Sequence, residues 1–228
     1  MTDHRDTLVA FDLDDTLYKE CDYVASGHRY VARTLARRLR LRVPADDLLR
    51  VVDGDSTGRH PFDALYDYID HRVPVSEMVA LYRAHIPFIT LPPVTTRCLE
   101  RLAADGYTLA LITDGRHTGQ WNKIRALALE RYIDGRLISV SADVGADKND
   151  RLPWERMAEL TPGCTRRWYV GDNPRKDFHH PNLMGWNTVM LRDDGRNILT
   201  QHVDLPADYH ARYVIDTLAE LPSLIAGV

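Results

Sequence analysis

"FDLDDTLYKE", Phe11–Glu20, follows directly on Leu8, Val9 and Ala10. The run Thr7–Asp12, "TLVAFD", is short, apolar and flanked by polar residues, which predicts a strand buried on both faces. Its end carries three aspartates, Asp12, Asp14 and Asp15. Alternate residues of a strand point the same way. If strand geometry continues past Asp12, the carboxylates of Asp12 and Asp14 lie side by side, roughly 6–7 Å apart. Two anions at that separation repel by about 2–3 kcal/mol at the effective dielectric of a protein surface. A chain that places this much negative charge at the mouth of a core strand needs something to offset it.

Five further runs carry the same strand signature: "TLALIT" (108–113), "LISVSA" (137–142), "WYVGD" (168–172), "TVMLR" (188–192) and "RYVID" (212–216). Helical periodicity alternates with them. Residues 94–105 put Val94, Cys98, Leu99 and Leu102 on one face, with Gly106 as the stop. Residues 118–129 group Trp121, Ile124, Leu127 and Ala128, and residues 152–160 group Trp154, Met157 and Leu160. The alternation predicts an α/β fold, a doubly wound, Rossmann-like parallel sheet. About ninety residues separate the first strand from the second, and these read as helical throughout, with Val31, Leu35 and Leu39 forming one stripe. The predicted organisation is a core of residues 1–17 and 91–228 with an inserted all-helical domain at 18–90, the return marked by Pro87, Pro92 and Pro93.

Composition narrows the function classes. The 228 residues can bury a substantial core. A net charge of −4 gives no basic field of the kind nucleic acid selects. The Arg33, Arg37, Arg38, Arg40 and Arg42 cluster reads as a solvated helix face. No apolar run approaches the roughly 20 residues of a membrane span, and no apolar signal core precedes the first acids. Cys21, Cys98 and Cys164 are odd in number and widely spaced, which predicts free thiols in a reducing cytoplasm. Of the 29 basic residues, 25 are Arg, and Lys occurs only at 19, 123, 148 and 176. An ammonium is a compact point charge and is not interchangeable with a guanidinium, so each lysine carries more information than usual.

Other acids also follow predicted strands: Asp114 in "LITDGR", and Asp172 in "YVGDNPRKDF" with Asp177 five residues on. In open α/β sheets the ligand crevice lies beyond the carboxyl ends of the strands. A hard divalent cation held by oxygens would offset such a cluster, and Mg²⁺ typically takes one or two carboxylates plus a substrate phosphate.

At these residues the chain resembles the haloacid dehalogenase-like hydrolases, in their phosphatase branch. "DLDDTLY" resembles the first family motif, D-x-D-x-T. "LITDG" is similar to the second, a Thr closing an apolar strand. "GADKNDRLPW" is similar to the third, a lone Lys before a helix, and "VGDNPRKDF" to the fourth. Four motifs in order on the expected elements are specific where D-x-D alone is not. The resemblance covers most of the chain outside the insertion, which corresponds to a helical cap of the C1 type.

The resemblance implies a Mg²⁺-dependent phosphomonoesterase. Asp12 is then the nucleophile that forms an aspartyl-phosphate. Asp14 is the acid that protonates the leaving oxygen and the base that activates water. Its presence favours phosphoryl transfer over C–halogen cleavage. Thr113 and Lys148 hold the phosphoryl oxygens. Asp12, Asp172 and the backbone carbonyl of Asp14 hold Mg²⁺, Asp177 orients water or pairs with Lys148, and Asn173 binds the metal or its water. Two positions depart from the family pattern: Asn149 follows Lys148 where Pro is usual, and Asp114 stands where Asn is common. Asp114 and Gly115 are candidate substrate contacts, with Arg116 offsetting the added charge, or Asp114 is a turn residue before Gly115.

Each reading has a plainer counterpart. The aspartates of 12–15 can cap a loop, Thr113 can be an ordinary strand residue, and Lys148 can be a surface lysine. His179-His180 is spaced poorly for two ligands on one ion and reads as loop. Cys21 has no evident base beside it. Leaving-group choice falls to the insertion, where Arg59 in "VVDGDSTGRHPFD" is the candidate contact, with Tyr18, Lys19 and Tyr23 lining the entrance. A sugar phosphate or a nucleoside monophosphate fits a closed chamber better than a phosphoprotein. The alternatives are a phosphomutase of the same fold, separable by a need for a bisphosphate activator, and a non-catalytic binding protein, separable by failure to turn over any phosphate ester.

Overall fold

The computed structural model describes residues 4–40, 44–54 and 60–228. Among them the chain divides into two compact units, Met1–Cys21 with Thr90–Val228, and Asp22–Ile89.

The larger unit is built on six parallel strands: β1 (Thr7–Phe11), β2 (Thr108–Thr113), β3 (Ile138–Val140), β4 (Arg166–Gly171), β5 (Asn187–Leu191) and β6 (Tyr213–Ile215). Their order is β3-β2-β1-β4-β5-β6, and every pairing is parallel. This is the doubly wound Rossmann-like α/β fold. β1 is buried along its whole length because it pairs with β2 on one side and β4 on the other and is covered on both faces. That explains why it carries continuous apolar residues instead of alternating ones. One layer of the core joins Leu8, Ala10, Ala110, Ile112, Trp154, Met157, Tyr169, Phe178 and Trp186. The Trp154 ring meets those of Tyr169 and Trp186 edge-on. Each fully buried large side chain of this layer stabilises the fold by roughly 1.5–3 kcal/mol.

The smaller unit takes most of α1 (Glu20–Arg38), then α2 (Ala45–Asp53), α3 (Asp63–Tyr68) and α4 (Val75–Ala84). Val31 and Leu35 of α1, Leu48 and Val52 of α2, Leu65 of α3 and Met78 of α4 make its core with Phe62. Arg33, Arg37, Arg38 and Arg40 are exposed, as a solvated helix face requires. Arg42 lies outside the described residues.

In the larger unit α5 (Pro93–Ala104) precedes β2, and α6 (His117–Ala126) follows it. α7 (Ser141–Val144), α8 (Leu152–Leu160), α9 (His179–Leu183) and α10 (Leu221–Ala226) complete the set. Besides shifts of one or two residues at element ends, three segments differ in kind from the sequence expectation. The helix predicted to Leu129 ends at Ala126, because Ala128 adopts a left-handed conformation (φ 52°) and a 3-10 turn follows. Ser141 and Ala142, expected to close a strand, instead begin α7, which Gly145 stops at φ 78°. His179 and His180, expected in a loop, lie in α9. His179 pairs with Asp208 at 2.7 Å, and the His180 Nε2 lies 2.8 Å from the Asn149 carbonyl oxygen. Among the described residues no helix is long and apolar enough to cross a membrane.

The strand order reverses between β1 and β4, and in a doubly wound sheet this switch point opens a crevice at the carboxyl ends of the strands. Asp12 follows β1 and Asp172 follows β4. The Asp12 amide donates to the Val170 carbonyl at 2.8 Å, which ties the two strand ends together.

Candidate active site

The three aspartates of the opening motif separate as soon as β1 ends. Asp12 stays at the strand mouth and is buried. Its Oδ1 accepts from Lys148 Nζ at 2.7 Å. Its Oδ2 has no hydrogen-bond partner among the described residues. Asp15, at φ 58°, turns the chain, and its two oxygens accept from the amides of Glu20 (2.9 Å) and Ile198 (2.9 Å). It therefore fastens the start of α1 to the segment after β5. Asp14 lies between them with both carboxylate oxygens bonded. Lys123 Nζ reaches them at 2.8 and 2.9 Å, Gln120 Nε2 donates to Oδ2 at 3.0 Å, and the Tyr18 hydroxyl donates to Oδ1. The side-by-side repulsion expected of Asp12 and Asp14 is thus relieved by giving each carboxylate its own lysine.

Two acids come in from β4 and the turn beyond it. Asp172 Oδ2 accepts from Asn197 Nδ2 at 2.9 Å, and its carbonyl accepts from Gln201 Nε2 at 2.8 Å. Its Oδ1 has no hydrogen-bond partner among the described residues. Asp177 is fully buried and saturated. Its Oδ1 takes Lys148 Nζ at 2.5 Å, and its Oδ2 takes the amides of Asp172 (3.1 Å) and Asn173 (2.8 Å). Carboxylate oxygens of Asp12, Asp172 and Asp177 lie within 4.8 Å of one another.

Burial and crowding decide which of these carboxyls ionise. Burial pushes the Asp12 carboxyl up to about 6, against the pull of Lys148. Burial and the neighbouring Asp177 and Asp12 push Asp172 up to about 9. Burial also raises Asp14, but Lys123 and the hydrogen bonds from Lys123, Tyr18 and Gln120 outweigh it and hold that carboxyl below the usual range. Glu20, whose carboxylate lies 3.8 Å from Lys123, is pushed up to about 7 by burial and by Asp14.

The donor set fits Mg²⁺. Every candidate ligand is a hard carboxylate oxygen, and the two that keep an oxygen open, Asp12 and Asp172, flank the switch point. Asp177 has no open oxygen, so its place is behind the ligands, holding Lys148 and the Asp172 backbone.

Thr113 ends β2, is buried, and its Oγ1 accepts from Gln120 Nε2 at 2.6 Å. Lys148 is fully buried, held by Asp12, Asp177 and the Tyr169 hydroxyl (3.1 Å), which overturns the surface-lysine alternative. Asn149 in place of Pro leaves the backbone ordered by other means. Its amide donates to Asp147 at 2.9 Å, and the Lys148 carbonyl accepts from the Trp154 indole at 3.2 Å. Asp114 pairs with Lys176 at 3.3 Å rather than with the exposed Arg116, and it accepts from the Lys148 amide at 3.1 Å. Asn173 is buried but spends its side-chain oxygen on the Arg175 amide at 3.1 Å, as a turn residue does. The Gly115 amide donates to Ser141 Oγ at 2.9 Å. Arg59 lies outside the described residues.

Sequence reading missed Lys123, Gln120, Asn197 and Tyr169. All four lysines bond to groups of this crevice: Lys148 to Asp12, Lys123 to Asp14, Lys176 to Asp114 and Lys19 to Asn197. Lys19 Nζ donates to Asn197 Oδ1 at 2.7 Å and pairs with Asp194 at 3.0 Å, behind Asp172. The scarcity of lysine beside abundant arginine was the signal that could have found them.

The haloacid dehalogenase-like hydrolase family profile matches residues 9–191. The glyceraldehyde 3-phosphate phosphatase of Methanocaldococcus jannaschii is 23% identical over 230 residues, covering 96% of this chain and 97% of that protein. The ribulose-1,5-bisphosphate 5-phosphatase of Halopiger xanaduensis is 26% identical over 242 residues, covering 96% and 99%. Among solved structures, the HAD-hydrolase YfnB of Bacillus subtilis, bound to magnesium, superposes with a TM-score of 0.66 at 19% identity, covering 98% of this chain and 99% of that one. At that identity the likeness is one of fold.

Proposed function

The chain belongs to the haloacid dehalogenase-like hydrolase family, and from that membership we propose that it hydrolyses the phosphomonoester of a small sugar phosphate through an aspartyl-phosphate at Asp12. The observation that carries this reading is the contrast between Asp12 and Asp14. Asp12 keeps one oxygen open at the crevice, while the acid two residues on is enclosed by donors and kept apart from it.

In the first step an oxygen of Asp12 bonds to phosphorus as the bond from phosphorus to the ester oxygen breaks, and Asp14 supplies a proton to that departing oxygen. In the second, water attacks phosphorus, Asp14 takes the water's proton, and the Asp12–phosphorus bond breaks to release phosphate. Lys148 and Thr113 face charge on the non-reacting phosphoryl oxygens. Mg²⁺, held by Asp12, Asp172 and the Asp14 carbonyl, would supply charge neutralisation for the phosphoryl group. Asp14 is held ionised when no substrate is present, the form the second step needs. A phosphate dianion placed beside it favours the protonated form, which the first step needs.

Relatives named for glyceraldehyde 3-phosphate and ribulose-1,5-bisphosphate support sugar phosphates of three to five carbons as the substrate class, ahead of nucleoside monophosphates. We assign the choice among them to the helical unit, read as a C1 cap, with Arg59 as its contact to the leaving group. The three free cysteines agree with a reducing cytoplasm. The test is phosphate release from a panel of phosphorylated metabolites with Mg²⁺ and with EDTA. Mg²⁺-dependent release from short sugar phosphates without a bisphosphate activator is expected. No release from any ester would return the chain to a binding role.

A further inference from the structure

Lys123 and Gln120 stand one turn apart on α6, on the same face, and both are buried. A buried helix face ordinarily carries apolar residues, and an ammonium there is costly unless paired. Both side chains point to one place. Lys123 Nζ straddles the two oxygens of Asp14 at 2.8 and 2.9 Å. Gln120 Nε2 is shared, 3.0 Å from Asp14 Oδ2 and 2.6 Å from Thr113 Oγ1. The backbone makes room for this amide: a Cβ on Gly115 would lie 2.8 Å from Gln120 Cγ and Cδ. Three segments, the turn after β1, the end of β2 and the face of α6, are therefore locked through two side chains.

We propose that Lys123 and Gln120 are positioning residues for phosphoester cleavage, which fix the Asp14 carboxylate in register with Thr113 and act on the reaction through Asp14. The inference rests on the phosphatase reading above. It assigns Lys123 and Gln120 roles that the four motifs do not cover. Lys123 fixes the rotation of the carboxylate, because a single ammonium contacting both oxygens leaves it no free swing. Gln120 sets its distance from the residue that meets the phosphoryl group.

The test is a double-mutant cycle between Lys123→Met and Asp14→Asn, run on an alkyl phosphate and on 4-nitrophenyl phosphate. A residue that works through a proton-transfer group matters most where the leaving oxygen needs a proton. Lys123→Met is expected to lower kcat on the alkyl ester about tenfold to a hundredfold, with KM changed by less than about threefold. The loss on the aryl ester should be at least several-fold smaller. In the Asp14→Asn background the same substitution should cost no further activity, and Lys123→Arg should recover part of the loss. Gln120→Leu, which removes no charge, should show the same leaving-group dependence and serves if Lys123→Met fails to fold. Equal losses on both esters, or losses that multiply with Asp14→Asn, would overturn the assignment. If the unmodified protein cleaves neither these two esters nor a sugar phosphate, the phosphatase reading itself fails. An active parent with an unimpaired Lys123→Met sinks only this inference.

Discussion

Lys148 Nζ lies 2.5 Å from Asp177 Oδ1, with both side chains wholly out of solvent, and the same ammonium reaches Asp12 at 2.7 Å. A cation shared by two buried carboxylates is held by its environment more firmly than any surface pair. Replacing Lys148 by Met should leave two buried acids without a counter-charge and cost about 3–5 kcal/mol of stability, as breaking a buried pair does. Thermal or urea unfolding measures this. A variant as stable as the parent would mean that Lys148 does not carry the charge balance of the site.

Asp12→Asn removes the nucleophile while keeping the side chain's shape. Turnover of every ester should vanish, and the far-ultraviolet circular dichroism spectrum should match the parent. Appreciable turnover by that variant would remove Asp12 from its role.

Without metal, stability should depend on pH through Asp12 and Asp172. Burial is the leading cause that raises both carboxyls above the ordinary 3.8, to about 6 and about 9. A raised folded-state pKa gives a contribution that is fully present below the unfolded value and is lost as pH rises through the folded one. In EDTA the Tm should therefore fall between about pH 5 and pH 9. Mg²⁺ should raise it more at pH 8.5 than at pH 5.5, because binding draws on the ionised acids. Asp172→Asn should flatten the metal-free profile and abolish the Mg²⁺ gain. A metal-free Tm that climbs across this range would contradict the assignment of these acids as under-compensated.

The cysteines give an independent check on the packing. Burial pushes the Cys98 thiol up to about 12, and Cys164 is also buried, whereas Cys21 is partly exposed. Iodoacetamide at pH 8 should label Cys21 first and reach the other two only after denaturation, as read by peptide mass spectrometry. Rapid labelling of native Cys98 would contradict the packing of α5 on the sheet.

Much of the core was legible because its signals are local. Strands buried on both faces write themselves as continuous apolar runs, and all six were found within two or three residues of their ends. The misplaced ends have local causes too: a left-handed alanine at 128 and a helix started by Ser141 leave no mark in hydrophobic periodicity. The acids at the strand mouths were legible because charge after an apolar run is unusual. What surrounds them was not. Lys123 and Gln120 sit in an ordinary helical stretch, and their meaning depends on which face of α6 turns toward Asp14. Asn197 lies 25 residues beyond Asp172 in the chain and meets it only because the segment after β5 folds back across the switch point. Periodicity reports which face is buried, but not what polar group waits behind it.

A covalent bond between Asp12 and phosphorus defines this mechanism, and the Asp14→Asn variant makes it visible. Loss of the second-step base should stall the intermediate, so 4-nitrophenyl phosphate should give a burst of phenolate close to stoichiometric with enzyme, followed by slow turnover. Acid quenching and borohydride reduction should then convert Asp12 to homoserine in the peptide map. A burst with that mark at position 12 is expected. Catalysis with Asp12 unmodified, or the mark on another carboxyl, would contradict it.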